Sequence, residues 1–169
     1  MVPVAEALYY QENDFGLFIR ALGHITAAVS TDLREVILER LSQAPVPPLL
    51  GVDLSACEYM DSTFMGLIVG FRKRLHAFPG KTITLYRPNP ICTSLLKSIG
   101  LTRLVEISAQ EVSMPPFMEN IAGQGKATAE FLLNVHENLM ELNDDNKAKF
   151  SVLTKVLKDQ IDSGPGEGK

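Results

Sequence analysis

A serine directly follows an aspartate where an apolar helix is predicted to begin, and this pair is the best candidate for chemistry in the sequence. Asp61 or Ser62 can serve as the N-cap residue, since both side chains accept hydrogen bonds from the free N–H groups of a first helical turn. The helix dipole favours negative charge at that end. The spacing alone allows two interpretations of Ser62, a plain helix cap or an accessible hydroxyl that takes a phosphate. Thr63 offers a second hydroxyl.

Other residues with chemical potential do not form a recognisable catalytic or metal site in the sequence. Asp53 and Asp61 are a possible carboxylate pair, but the favoured interpretation is structural: Asp53 ends a strand and bonds loop N–H groups, and Asp61 orders the following turn. His24, His76 and His136 fall on separate elements without metal-ligand spacing. We therefore expect no metal and no cofactor.

The sequence around Ser62 also lacks the pattern of a hydrolase. A nucleophile elbow needs Gly-x-Ser-x-Gly, whereas residues 60–64 read Met-Asp-Ser-Thr-Phe. No glycine-rich phosphate-binding loop occurs. Cys57 and Cys92 lie far apart without ligand spacing, which predicts reduced thiols packed as small apolar residues. We expect that the chain is not an enzyme.

Composition limits the class of protein. Of the residues, 46% are hydrophobic, and the mean hydropathy of +0.08 predicts a folded chain. A net charge of −4 provides no basic field for nucleic acid, so we expect no direct contact with DNA or RNA. No run approaches the roughly 18 to 20 apolar residues of a membrane span, and the N-terminus lacks the pattern of a signal peptide. These features predict a cytoplasmic protein.

The elements that would position Ser62 alternate between strands and helices. An apolar run at residues 49–52 predicts a buried strand that ends at Asp53, and apolar residues then recur at helical spacing from Phe64 to Phe71. The whole order is predicted as β-β-α-β-α-β-α-β. Such alternation is typical of an α/β layer structure with helices on a sheet of about five strands.

Residues 53–66 resemble the central motif of a known family. Asp-Leu-Ser at residues 53–55, the run from Tyr59 to Thr63 and then Gly66 are similar to the motif of STAS domains, the fold of bacterial anti-sigma factor antagonists. The resemblance implies a mixed sheet of about five strands packed against helices. One residue departs from the family pattern, because Phe64 stands where a glycine is usual.

The resemblance also implies a function in bacterial transcription. In that family the domain binds an anti-sigma factor that is also a serine kinase, phosphorylation of the serine equivalent to Ser62 ends this binding, and a PP2C-type phosphatase reverses the modification. Asp53 and Ser55 would form a structural loop. The alternative is a STAS-type structural subunit of a transporter or a larger signalling assembly. The residues predicted to contact the partner are Asp61, Ser62, Thr63, Phe64 and Met65.

The sequence predicts four segments: a STAS-like domain at 1–112, a linker at 113–125, a helical extension at 126–162 and a disordered tail at 163–169. From Lys126 to Ile161 there is no proline or glycine, and the segment is either one long helix or a hairpin bent at Asn143. Its apolar seam predicts burial against a second copy in a homodimer, with Asn146 fixing the register, or else against its own domain; we favour the homodimer. The seam consists of Leu132, Val135, Leu139 and Leu142.

Overall fold

The structure is a computed structural model that describes residues 6–121 and 126–164. Its strands are β1 (Ala7–Asn13), β2 (Gly16–Ile25), β3 (Leu49–Met60), β4 (Thr82–Tyr86), β5 (Glu106–Ser108) and β6 (Glu119–Ile121). Its helices are α1 (Ala27–Leu41), α2 (Ser62–His76), α3 (Pro90–Ile99), α4 (Ala129–Met140) and α5 (Asp144–Ser163). The order up to β5 is the one predicted, which confirms the α/β fold.

The six strands form one mixed sheet in the order β5-β4-β3-β2-β1-β6. Strands β2 to β5 pair in parallel, whereas β1 is antiparallel to both of its neighbours. Strand β6 lies inside the segment predicted to be a linker, where it pairs Ile121 with Leu8 and Glu119 with Tyr10. Three residues are too few to show a periodic pattern, so this strand could not be predicted from the sequence.

Strand β3 is longer than predicted. It continues past Asp53 to Met60, paired with β2 through two register shifts. Leu54, Cys57 and Met60 on this continuation are buried, which explains why the chain stays extended there. Asp53 and Ser55 therefore lie within a strand, and their predicted placement in a loop is wrong.

Helix α2 is buried around most of its circumference, because it contacts β4, α1 and α4. The residues that predicted this helix lie in the core, at 1 to 2% exposure. They are Phe64, Leu67, Ile68 and Phe71. A helix enclosed in this way has a position that is fixed by packing on several sides.

The helical extension is a hairpin rather than one helix. Asn143 begins α5 as its N-cap, and its Oδ1 accepts a hydrogen bond of 2.8 Å from the Asn146 N–H. Helix α4 contacts α2, and α5 contacts α4. Within the described residues, no helix is both long and apolar enough to cross a membrane. Ser163 ends α5, and the remainder of the predicted tail, residues 165–169, lies outside the described residues.

The apolar seam of the extension is covered within the same chain. Val135 and Leu139 are fully buried, and Leu132 and Leu142 pack partly against the core. Asn146 is also fully buried. Its Nδ2 donates to the carbonyls of Ile99 and Leu139, at 2.9 and 2.8 Å, rather than fixing a register with a second copy. The structure thus adopts the intramolecular alternative: the seam packs on the chain's own core, and its burial needs no second copy.

Candidate functional site

Asp61 joins the beginnings of two helices. It is the N-cap of α2, where its Oδ1 accepts a hydrogen bond of 3.1 Å from the Phe64 N–H. Its Oδ2 accepts a second bond of 3.0 Å from the N–H of Ala27, the first residue of α1. One carboxylate therefore fixes the start of α1 and the start of α2 relative to each other.

The surroundings of Asp61 act on its pKa in opposite directions. Burial raises the pKa of the carboxyl above its ordinary value of 3.8. Hydrogen bonds from the backbone N–H groups of Phe64, Ala27 and Thr63 lower it, and so does the nearby His136, but these effects are smaller. Asp61 is thus a structural anchor whose charge is kept in place by backbone N–H groups.

Ser62 is the first residue of α2, and its hydroxyl is bonded to a histidine of the extension. The distance from Ser62 Oγ to His136 Nε2 is 2.8 Å. His136 Nδ1 lies 2.7 Å from the Leu132 carbonyl, which can only accept, so Nδ1 carries the hydrogen. In the neutral imidazole Nε2 is then an acceptor, and the Ser62 hydroxyl donates to it.

The sequence did not predict a role for His136. The side chain is 3% exposed, and its ring packs on Phe150 of α5 with the centroids 5.2 Å apart. Ser62 and His136 are 74 positions apart, so no local spacing could associate them. One sequence signal could have suggested such a role: the titratable residue His136 lies within the apolar seam, directly after Val135.

The Ser62–His136 pair has the contact that a nucleophile makes with its general base. In a triad a carboxylate orients the histidine. Here the Leu132 carbonyl occupies that position, and both oxygens of Asp61 accept backbone N–H groups. The geometry therefore supplies two of the three parts of a serine hydrolase site.

Three residues predicted to contact a partner are buried. Thr63 is 3% exposed, Phe64 1% and Met65 3%. The prediction that these side chains form a partner surface is wrong, because the first turn of α2 directs them into the core. Of the five predicted contact residues, Asp61 and Ser62 remain partly exposed.

Asp53 and Ser55 make a local contact within β3. Asp53 Oδ1 accepts a hydrogen bond of 3.0 Å from the Ser55 N–H, and Asp53 Oδ2 lies 3.5 Å from Nε of Arg20 on β2. The second contact is a cross-strand ion pair, since Arg20 and Asp53 are paired in the sheet. Among the described residues, no group of three or more His, Cys, Asp or Glu side chains could hold a metal ion.

Helix α4 approaches α2 most closely at Gly66. A β-carbon on Gly66 would overlap the carbonyl of Val135, so the two backbones meet only because this residue has no side chain. Asn138 Nδ2 donates to the Gly66 carbonyl at 3.3 Å. Further along, Lys73 Nζ donates to Asn138 Oδ1 at 3.2 Å and to Glu141 Oε2 at 2.8 Å.

The two cysteines are adjacent in the fold although they are distant in sequence. The Sγ atoms of Cys57 and Cys92 lie 3.9 Å apart, and both residues are free and buried. The thiol–thiol contact and burial raise the pKa of the Cys57 thiol. Cys57 lies in β3 and Cys92 in the first turn of α3, so the contact ties α3 to the central strand.

We expect both thiols to be inert towards Ellman's reagent in the folded protein at pH 8, because the reagent attacks exposed thiolate. In denaturant, both thiols should react with the reagent and give its coloured product. The matched control is Ser98→Cys, which places a thiol at an exposed position of α3 and should react within the mixing time. Rapid reaction of the parent chain would contradict the buried placement.

The family model described as "Mlab, STAS domain" matches residues 10–106, which is more than half of the chain. The chain therefore belongs to the STAS domain family. The match begins within β1 and ends at the start of β5, so β6, α4 and α5 lie outside it. Comparison with curated protein sequences gives no match.

Solved structures of anti-sigma factor antagonists share the fold. The unphosphorylated form of SpoIIAA is similar with a TM-score of 0.54 and 22% identity over 62% of this chain and 89% of that one. The phosphorylated form of Bacillus SpoIIAA gives 0.51 and 22% over 62% and 92%. A putative anti-sigma factor antagonist from Thermotoga maritima gives 0.53 and 22% over 60% and 85%. These structures confirm the predicted STAS-like architecture.

Proposed function

We propose that this chain is an anti-sigma factor antagonist-like regulator that binds an anti-sigma factor with serine kinase activity and is switched by phosphorylation of Ser62. The observation that carries the proposal is the placement of the Ser62 hydroxyl at the first position of α2, directly after the N-cap Asp61. It is supported by the similarity to SpoIIAA, whose structures include an unphosphorylated and a phosphorylated form.

Electrostatics explains how the switch would act. A phosphate on Ser62 adds about −1.5 to −2 charges beside the Asp61 carboxylate. The N-terminus of α2 favours that charge within the chain. An acidic partner surface facing the same position is repelled, so phosphorylation ends the complex until a PP2C-type phosphatase removes the group.

The proposal is tested by retaining partners on the immobilised full chain from a lysate of the organism that encodes it, followed by incubation with ATP and mapping of the phosphate. We expect a serine kinase to be retained and the phosphate to lie on Ser62. Ser62→Ala should abolish incorporation, and Ser62→Asp should weaken retention at least tenfold. The matched control is Ser55→Ala, an exposed serine on β3, which should leave both unchanged.

Two results would contradict the switch. One is phosphate incorporation into Ser62→Ala at the parent level. The other is retention of the same kinase by Ser62→Asp as strongly as by the parent. Thr63 is not expected to substitute for Ser62, because its side chain is buried.

A second candidate, a STAS-type subunit of a larger assembly, is favoured by one observation. Helix α5 exposes a short apolar stripe, with Val152 74% and Val156 48% exposed. Single exposed apolar residues need no explanation, but neighbours one helical turn apart suit an assembly contact. Retention of assembly components that is lost on Val152→Lys/Val156→Lys and unaffected by Ser62→Ala would favour this function.

We expect the chain to catalyse no hydrolysis, although Ser62 and His136 are in hydrogen-bond contact. A carboxylate does not orient the histidine, and His136 is almost fully buried. Rates with p-nitrophenyl esters and phosphoesters should equal the background of the buffer. Turnover that is present in the parent and lost in both Ser62→Ala and His136→Ala would show instead that the pair is catalytic.

A further inference from the structure

Helix α4 covers the face of α2 that begins with Ser62. Its contacts fall on Ser62, Gly66 and Lys73, which lie on one side of α2 because they are separated by four and seven residues. Gly66 is buried beneath the Val135 backbone. A protein that docks on this side of α2 meets α4 before it reaches most of that surface.

A charged contact at the edge of this surface pairs Lys73 of α2 with Glu141, which directly follows α4. Helix α4 contains Glu130 and Glu137 but no lysine or arginine, and Glu141 follows it. A groove of about 320 Å³ between α1, α2 and α4 is lined by the cationic residues Arg34, Lys73 and Arg74. Glu137 pairs with Lys158 of α5 and Glu130 is exposed, so the preference for an acidic occupant rests on the contact between Lys73 and Glu141 and on the cations of the adjacent groove.

From these contacts we propose that the α2 surface at Ser62, Gly66 and Lys73 is a docking site for an acidic amphipathic helix of the partner, and that α4 occupies this site within the chain. The proposal rests on the proposed function, because it assigns the surface through which the partner reaches Ser62. The partner helix must present a small contact to Gly66 and an acidic side chain to Lys73, as α4 does with Glu141.

Occupancy by α4 and binding of the partner exclude each other, so α4 lowers the apparent affinity of the partner. If the surface is free for a fraction f of the time, the apparent dissociation constant is the intrinsic one divided by f. The coupling is reciprocal. Anything that displaces α4 favours phosphorylation of Ser62. A phosphate on Ser62 in turn disturbs the packing of α4, because it takes the place next to Ser62 that His136 now occupies. The family model ends before α4, so this control would be an addition to the family domain.

The site can be tested in the full chain with a fluorescent peptide of residues 126–142 as the probe. Val135→Asp lies on α4, where a buried charge should stop α4 from docking while the α2 surface remains intact. We expect the peptide to bind Val135→Asp at least tenfold more tightly than the parent. Gly66→Leu added to Val135→Asp should abolish binding, because the added side chain fills the approach to α2.

Gly66→Leu is a suitable blocking variant. The three heavy atoms nearest to a β-carbon at Gly66 all belong to Val135, so release of α4 removes the closest obstacles to the new side chain. Circular dichroism and amide exchange of β3 establish that each variant is folded. If Val135→Asp is not folded, Glu141→Lys replaces it as the variant that releases α4. Glu141 is exposed, and reversing its charge beside Lys73 weakens the contact between α4 and α2. We then expect the peptide to bind Glu141→Lys about threefold more tightly than the parent.

The retention experiment with the partner distinguishes this proposal from the proposed function. In the retention experiment above, Val135→Asp should hold at least tenfold more kinase than the parent, and Ser62→Asp should reverse that gain. Equal retention by parent and Val135→Asp, or equal binding of the peptide to both, overturns the role of α4 and leaves the Ser62 switch in place. Peptide binding that depends on Gly66, without Ser62-dependent retention of any kinase, overturns the proposed function but not the helix site.

Discussion

Phe64→Ala is expected to lower the free energy of unfolding by about 3–5 kcal/mol, measured by denaturant unfolding. The ring is 1% exposed and belongs to the central core cluster. Removing it leaves a cavity in the first turn of α2, where a structure packed on several sides cannot collapse to fill the space. The STAS motif usually has a glycine here, so this side chain adds core packing at the helix that carries Ser62.

Phe15→Ala is the matched control for Phe64→Ala. Phe15 lies in the turn between β1 and β2 and is 77% exposed, so its truncation should change the free energy of unfolding by less than about 0.5 kcal/mol. A cost below about 1 kcal/mol for Phe64→Ala would mean that the ring is not packed in the core. An unpacked ring would also be available to contact a partner, as the sequence predicted for Phe64.

Asp61→Ala is expected to lower the free energy of unfolding by about 2–3 kcal/mol at pH 7. Loss of the cap on the Phe64 N–H accounts for about 1 kcal/mol. The Ala27 N–H, which is partly buried, loses Asp61 Oδ2 as its acceptor, and this adds roughly 1–2 kcal/mol. Asp61→Asn is the conservative variant, because it keeps one acceptor oxygen. It should lower the free energy of unfolding by less than Asp61→Ala does.

The cost of Asp61→Ala should depend on pH. Because burial raises the pKa of Asp61, the folded chain keeps a proton between pH 3.8 and the folded pKa that the unfolded chain has released. The contribution of Asp61 to stability therefore falls as the pH rises through that interval. The difference in free energy of unfolding between the parent and Asp61→Ala should be larger at pH values below 3.8 than at pH 7. A difference that grows towards neutral pH would show that the pKa is lowered in the folded chain.

The sequence predicted β1 to β5 and the helices because their signals are local. Apolar residues at 49–52 and the helical spacing from Phe64 to Phe71 mark β3 and α2, and Asp61 has the residue type of an N-cap. The bend at Asn143 was one of two stated alternatives, since asparagine is a good cap. These features depend on residues within a few positions of each other.

The remainder depended on contacts between distant segments. No local pattern associates Ser62 with His136, or Ile99 with Asn146. The buried state of Thr63 and Met65 follows from α4 and the sheet enclosing α2, which the apolar spacing of α2 alone did not reveal. The seam of α4 indicated that something must cover it, but a single sequence does not distinguish a second copy from the chain's own domain.

The pairing of β6 with β1 fixes one end of the connection to α4, which matters for the competition that we propose. Strand β6 ends at Ile121 and α4 is capped by Thr128, and the seven peptide units that join these two residues can span at most about 25 Å. A tether this short gives a local concentration on the order of millimolar. A partner at micromolar concentration must then bind the surface roughly a thousandfold more tightly than a free copy of α4 would. Under the proposed competition between α4 and the partner, the edge strand β6 therefore sets the partner concentration that is needed to reach Ser62.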